Sequence, residues 1–285
     1  METISQGYDN ETLHKVQQVQ IEILKDFIKI CEKYDLNYFF LYGSALGAVR
    51  HHDVIPWDDD IDVGMIREDY EKLLDIYKKE GFGDLELLTP EFNKEYATRV
   101  THLQRKNTTF ISVYAKDLKC HLGINMDIFP IDKVSEDPKK RNKQIKKSFF
   151  YGRLLFLRGT ATPNIPYKGL KFYCASLICH LVHYALIITG QSADKIYKHF
   201  ENVRKSSMNE ETSLWYSLGS YSNERGLLKT EDIFPLVDVK FRDMNVKLLN
   251  NYHKHLVDNY GDDYMEMPPE EKRINHMPFK IDFEK

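Results

Sequence analysis

LYGSALGAVRHHDVIPWDDDIDVGM, residues 41–65, is the stretch on which the reading of the fold turns. An apolar run ends at Gly43-Ser44, an Arg50-His51-His52 cluster follows, and Trp57 then leads a block holding Asp58, Asp59, Asp60 and Asp62. In an extended chain alternate side chains share a face, so Asp58, Asp60 and Asp62 point the same way. Three carboxylates on one face raise each other's pKa or require a cation. The direct reading is a divalent-metal site with hard oxygen ligands.

The flanks give the stretch its local structure. Tyr38 to Tyr42 reads as a short aromatic strand, ended by Gly43-Ser44, and Ala45 to Arg50 suits a short helix. Pro56 stops any helix before the acidic block, and Ile61 to Met65 reads as a second strand. The order strand, Gly-Ser, helix presents backbone N–H groups where phosphate oxygens are welcome. Gly43 and Ser44 are therefore candidate phosphate contacts, with Arg50 adding charge about a turn later.

Upstream, residues 11–33 form an amphipathic helix on Leu13, Val16, Leu24, Phe27, Ile28 and Cys31, capped by Asp9 or Asn10. Downstream, Arg67 to Lys79 returns to helix, and residues 84–89 and 96–113 read as strands. Ala97–Leu103 and Thr108–Val113 are expected to pair as a hairpin across Lys106-Asn107. Arg99 there faces either the same cavity as the acids or the surface. In Gly123 to Pro130, Ile124, Met126 and Ile128 share one face and Asn125, Asp127 and Phe129 the other. A carboxylate inside such a strand needs a partner. A third metal-site acid at Asp127, or a salt bridge to Arg50 or Arg99, would each supply one.

After Asp132 the character changes. Residues 133–160 are basic and then aromatic, 161–169 hold Pro163, Pro166 and Gly169, and Phe172 to Thr189 is almost continuously apolar. That run approaches the roughly 20 residues needed to span a bilayer, but His180, His183, Ser176 and Thr189 count against a span. A buried helix, or one lying on a membrane surface beside the basic segment, is the expectation. Cys174, Cys179, His180 and His183 superficially resemble a zinc set, yet on one helix positions 174 and 179 point in quite different directions. Further on, residues 192–207 read as helix, Ile233–Phe241 as strand, and Lys247–Asn259 as a helix closed by Gly261. Pro268-Pro269 can open a short turn that projects Arg273 and His276 from one side.

The 285 residues fit one large domain or one domain with an insert, and a hydrophobic share of 42% supports a sizeable core. A net charge of -3 gives no global field for nucleic acid, although Lys139, Lys140, Arg141, Lys143, Lys146 and Lys147 crowd one segment. Four cysteines make no disulfide framework and suggest a reducing compartment. The first residues show no signal-peptide pattern, so a cytoplasmic protein is expected. Neither an internal repeat nor a low-complexity segment is visible.

Three chemistries compete for the acidic block. A calcium loop fails because its turn glycine would fall at Val63. A sugar-nucleotide glycosyltransferase would use Asp58-Asp59-Asp60 or Asp60-Ile61-Asp62, but a helix stands where a nucleotide-binding βαβ start is expected. The nucleotidyltransferase arrangement fits better: strand, Gly43-Ser44, short helix, then the Asp60-Ile61-Asp62 strand, with Asp127 as third acid from a later one. Two carboxylates hold Mg²⁺ or Mn²⁺ against a diphosphate, and a third acid takes the proton of an attacking hydroxyl.

At these residues a family resemblance becomes specific. LYGSALGAVRHHDVIPWDDDIDVGM resembles the signature of the LicD family of phosphotransferases, related to fukutin and fukutin-related protein. MDIFPID resembles its second block and YGDDYMEMPPEEKRINHMPF its C-terminal block. The resemblance implies an α+β fold, with a nucleotidyltransferase-like mixed β-sheet flanked by helices, a largely helical insert and a largely helical C-terminal region. With the change of character after Asp132, residues 1–132 are expected as the nucleotidyltransferase-like catalytic core, 133–210 as a helical basic and apolar insert matching no block of the family, and 211–285 as the part completing the active site. The implied activity is transfer of a substituted phosphate, phosphocholine or an alditol phosphate, from a CDP-linked donor such as CDP-choline. The acceptor is a hydroxyl of a cell-surface glycan such as lipopolysaccharide or teichoic acid, and CMP is released.

In that reading Asp58, Asp60, Asp62 and Asp127 bind Mg²⁺ or Mn²⁺, and Asp60, Asp62 and Asp127 are catalytic, Asp127 as ligand or base. Gly43, Ser44, Arg50, Arg99, Arg273 and His276 contact donor or acceptor. The expected setting is the cytoplasm at the inner face of the membrane, with peripheral membrane association and no nucleic-acid partner. The chain departs from its relatives at Phe241-Arg242-Asp243, where they carry Phe-Glu-Gly, and at 246–250. A true nucleotidyltransferase releasing pyrophosphate, or a non-catalytic accessory protein of glycan assembly, are the rival functions.

Overall fold

The computed structural model describes residues 9–113, 115–220, 224–273, 275 and 278–283. It begins with α1 (Asn10–Tyr34), whose face bearing Leu13, Val16, Leu24, Phe27 and Cys31 is buried. Asp9 caps it by accepting from the Thr12 N–H at 2.8 Å, and Asp35 ends it in the left-handed region at φ 52°. Then follow β1 (Phe39–Phe40), α2 (Tyr42–Arg50), β2 (Asp62–Ile66), α3 (Arg67–Glu80), β3 (Leu85–Leu88), β4 (Thr101–Arg105), β5 (Thr109–Ser112) and β6 (Asn125–Lys133). Next come α4 (Pro138–Gly159), α5 (Leu170–Ile188), α6 (Ala193–Arg204), β7 (Leu214–Tyr216), β8 (Leu228–Lys229) and α7 (Thr230–Ile233). The chain closes with β9 (Val237–Phe241), β10 (Met244–Leu248), α8 (Tyr252–Tyr260) and β11 (Pro278–Asp282).

The architecture is α+β on a mixed sheet ordered β1-β2-β6-β4-β3, extended by β7 and β8 from the end of β6. β2 and β6 run parallel, with Asp62 level with Asp127. β4 runs antiparallel to β6 and sets His102 level with Asp127. The central strands are buried because both faces are covered: Val63, Met65, Met126 and Ile128 pack with Leu24, Phe27 and Tyr70 in the main core.

Several expectations shift. β4 and β5 do not form a hairpin with each other; β5 pairs with the distant β11. Beyond the turn the backbone finds partners in residues 122–124 instead: the Phe110 N–H donates to the Leu122 carbonyl and the Ile124 N–H to Thr108 Oγ1. Ile233 lies in α7 rather than a strand, and Lys247 and Leu248 close β10 before α8 starts. The part after residue 211 is accordingly richer in strand than expected, holding β7 to β11 with only two α-helices among the described residues. The buried-helix reading of the apolar run is overturned, since no residue of α5 is buried. It packs on α4, and its Leu186 joins the cluster of Ala97, Leu155 and Phe200.

At the far end of β6, Asp132 is fully buried between two arginines, Arg67 Nε at 2.6 Å and Arg204 Nε at 2.9 Å. Glu201 accepts from both guanidiniums at 2.7 and 3.0 Å. This closed set of two acids and two bases locks α3, β6 and α6 together. A charge taken out of water is tolerated when opposite charges meet it this closely, although Arg67 Nη2 is left without a hydrogen-bond partner. Asp132→Ala strands two buried guanidiniums and is expected to lower unfolding free energy by about 3–5 kcal/mol, read by urea denaturation.

Candidate functional site

α2 starts immediately after β1, and its first turn is built by its neighbours. Tyr42 opens it at φ 43°, a left-handed value that a tyrosine holds only under constraint. The constraint is His255 of α8, whose Nε2 accepts the Tyr42 N–H at 3.1 Å. Burial pushes the His255 pKa down to about 4, which keeps that nitrogen a bare acceptor. Gly43 and Ser44 lie inside this first turn rather than ahead of it. Ser44 Oγ accepts the Asp62 N–H at 2.7 Å, so the serine ties the helix start to the acidic strand. A side chain at Gly43 would place its Cβ 2.6 Å from Asp58 Oδ2. Only glycine lets that carboxylate approach the helix start.

The acidic loop is held from beneath by α1. Gln17 Nε2 donates to the Asp58 carbonyl at 2.8 Å, and Gln20 Nε2 to the Asp59 carbonyl at 2.7 Å and the Asn125 carbonyl at 3.1 Å. These buried amides sit on the apolar face of the helix, a pattern that marks their role only in retrospect. A cavity of about 180 Å³ opens beside them, lined by Gln20, Asp59, Asp60, His102, Asn125 and Asp127 among others.

The four singled-out carboxylates do converge. Asp60 is an electrostatic neighbour of Asp58, of Asp62 and of Asp127. Burial first and Asp60 second push Asp58 and Asp127 each up to about 8. The same two causes, joined by Asp127 and Asp58, push Asp62 well above the carboxylate range. Asp127 accepts from Asn125 Nδ2 at 2.8 Å and lies 3.3 Å from His102 Nε2. Burial holds His102 neutral, its pKa lowered to about 4. Neither Arg50 nor Arg99 is the partner of Asp127, so the salt-bridge account does not apply. Among the described residues, no three His, Cys, Asp or Glu side chains stand in a ready-made ligating arrangement. Uncompensated carboxylates repel, and one Asp127 oxygen is turned to Asn125 and His102.

A domain described as LicD/FKTN/FKRP, nucleotidyltransferase domain, matches residues 35–153. That span contains α2, the acidic loop, β2 and β6. The lipopolysaccharide cholinephosphotransferase LicD of Haemophilus influenzae is 28% identical over 274 residues, covering 93% of this chain and 96% of that one. The chain carries a LicD-family domain and is a LicD-like phosphotransferase. Human ribitol 5-phosphate transferase FKRP is 42% identical over 48 residues, 17% of this chain and 10% of that one. An uncharacterised Rickettsia typhi protein is 36% identical over 64 residues, 21% of each chain.

The remaining candidates of this LicD-like chain divide. Arg50 and Arg273 meet over one indole, their guanidiniums 5.9 and 5.0 Å from the Trp57 ring. Arg50 also donates to the Tyr264 and Glu266 carbonyls at 2.9 and 3.1 Å, and Arg273 to the Pro268 carbonyl at 2.9 Å. They clip the C-terminal block onto the acidic loop. Arg99 stands apart from the acids, in a bend before β4. Its stem runs against Gly152 of α4 and Gly219, and its electrostatic neighbours are Arg153, Tyr42 and Arg204. His276 lies outside the described residues. The Cys174, Cys179, His180 and His183 set is no metal site: the two histidines bond the Ser176 and Leu157 carbonyls instead. The sequence reading missed Gln17, Gln20, His102, Asn125 and His255. Of these, only His102 and Asn125 carried a signal, lying two residues from other polar positions on predicted strands.

The raised pKa of Asp58 has a signed consequence. Between its ordinary value of 3.8 and about 8 the folded state binds more protons than the unfolded one. Stability from this group is therefore full below pH 4 and lost as pH rises to about 8. Without added cation, Asp58→Asn is expected to melt above the parent at pH 8.5 and no higher at pH 4, checked by calorimetry.

Proposed function

We propose that this chain transfers a substituted phosphate, phosphocholine or an alditol phosphate, from a CDP-linked donor to a hydroxyl of a glycan. The observation that carries the reading is the meeting of Asp60 before β2, Asp62 on β2 and Asp127 on β6, with Ser44 of α2 bonded to the Asp62 N–H. Its relatives by name act on phosphocholine and ribitol 5-phosphate, and a nucleotidyltransferase-like core is the fold reading that accompanies this activity.

Buried oxygen donors that repel one another suit a hard divalent cation. Gln20 supports the fit: it is 3% exposed, its Oε1 has no hydrogen-bond partner, and it lines the cavity beside Asp60 and Asp127. Asp60 and Asp62, with Asp58 assisting and Asp127 as a further ligand, would hold Mg²⁺ or Mn²⁺. Such an ion offsets charge on the diphosphate and lowers the barrier by several kcal/mol when bound.

The residues do the rest. The α2 start presents N–H groups to a phosphate, and Gly43 keeps that approach open. The acceptor oxygen attacks the phosphorus distal to cytidine, the bond from that phosphorus to the bridging oxygen breaks, and CMP leaves with the electron pair. Asp127, where it is not a ligand, accepts the acceptor's proton, consistent with a pKa near the working pH. Arg50 and Arg273, stacked on Trp57, are suited to the nucleotide end of the donor. We place this reaction in the cytoplasm.

A donor screen decides it. With CDP-choline or a CDP-alditol and a glycan acceptor, CMP release is expected with Mg²⁺ or Mn²⁺ and not with EDTA. Asp60→Asn with Asp62→Asn should lower turnover by two orders of magnitude or more, each tenfold being about 1.4 kcal/mol, and should also abolish the rise in melting temperature on adding Mg²⁺. Full activity in that double variant would refute the metal assignment, and pyrophosphate from CTP would favour nucleotidyl transfer. Gly43→Ala, displacing the Asp58 carboxylate, is expected to cut turnover by about a hundredfold with the melting temperature within a few degrees of the parent.

A further inference from the structure

The geometry points to α5 as an in-plane membrane anchor that docks the enzyme on anionic lipid. Leu170, Tyr173, Leu177, Leu181, Tyr184 and Ile188 recur at helical spacing on one side of α5 and are each 54–84% exposed. The helix has the length and composition of a membrane span, with a mean hydropathy of 1.5 and none of that stretch buried. A continuous apolar face of this size is not left to water.

Charge identifies the occupant. From Pro138 to Ile188 there is no Asp or Glu, while the net charge of the whole chain is -3. On α4, Lys139, Lys143, Lys146, Phe150 and Arg153 follow one exposed stripe. The stripe leads to Leu157, whose carbonyl meets His183 of α5 at 2.7 Å. Lys168 and Lys171 flank the start of α5. A purely cationic surface beside an apolar helix matches an anionic bilayer, with lysines at the headgroups and the helix at the acyl boundary.

The connections exclude a span. Both ends of the excursion are fastened near the C-terminal end of α4: Thr162 Oγ1 donates to Asp117 at 3.2 Å, which also accepts from Thr160 at the α4 cap, and Arg158 Nε donates to the Gln191 carbonyl at 2.8 Å. Were α5 to cross a bilayer, residues 163–169 would have to cross back. They carry no regular structure, and seven residues reach at most about 25 Å, short of a hydrocarbon core of about 30 Å. Their unpaired backbone groups could not lie in lipid. A helix lying flat meets neither obstacle.

The test is flotation of the full chain with phosphatidylcholine vesicles, with and without phosphatidylglycerol. Binding is expected to be at least tenfold tighter to the anionic vesicles and to weaken with salt. Leu177→Glu with Leu181→Glu should abolish it, with the circular dichroism spectrum unchanged because both side chains are exposed. Lys139→Gln, Lys143→Gln and Lys146→Gln should each weaken it by up to about fivefold. Bound protein should be released by alkaline carbonate. Absence of binding to anionic vesicles, equal binding to neutral ones, or retention after carbonate as for a spanning helix would each overturn the proposal. So would a dimer, seen by light scattering without vesicles, that the Leu181→Glu change dissociates.

Discussion

The parallel pairing of β2 with β6 is the constraint on which the site depends. It sets Asp62 level with Asp127, and the loop entering β2 adds Asp60 and Asp58. Carboxylates forced together out of water cannot all ionise at their ordinary pKa, because each charge raises the cost of the next. The strain is not relieved by the nearest arginines, which are engaged elsewhere. It is held in place by hydrogen bonds that do not touch the charges: Ser44 to the Asp62 N–H, and Gln17 and Gln20 to the loop carbonyls. The backbone is fixed while the carboxyl groups stay crowded together.

The same strand shows the opposite treatment at its other end. Asp132 is deeper than Asp127, yet two guanidiniums meet it directly. One aspartate of β6 is thus met by two guanidiniums, the other by a neutral amide and a neutral imidazole. The difference lies in what packs across each end: α3 and α6 bring arginines to Asp132, whereas β4 brings neutral His102 to Asp127. Low local dielectric makes both choices consequential.

Charge is also divided at the scale of the molecule. Asp58, Asp60 and Asp62 gather beside α2, while α4 and α5 carry no carboxylate at all. Arg99, whose stem lies along Gly152 of α4 and which has Tyr42 among its neighbours, is a physical link between the two regions.

Much of the site was legible because its chemistry is written locally. Asp58, Asp60 and Asp62 alternate within five residues, Gly43-Ser44 follows a short strand, and Asp127 interrupts an apolar strand. Periodicity likewise gave α1, α3 and α6 nearly to their ends. The partners of those groups were not legible, since they come from far along the chain: Gln20 to Asp59, His255 to Tyr42, Arg273 to Trp57. Pairing of β5 with β11 and exposure of α5 were hidden for the same reason. A sequence fixes which residues are apolar and which carry charge, because these are properties of single side chains and their spacing. Which apolar face is covered, and which charge is neutralised, was decided only when distant segments were packed together.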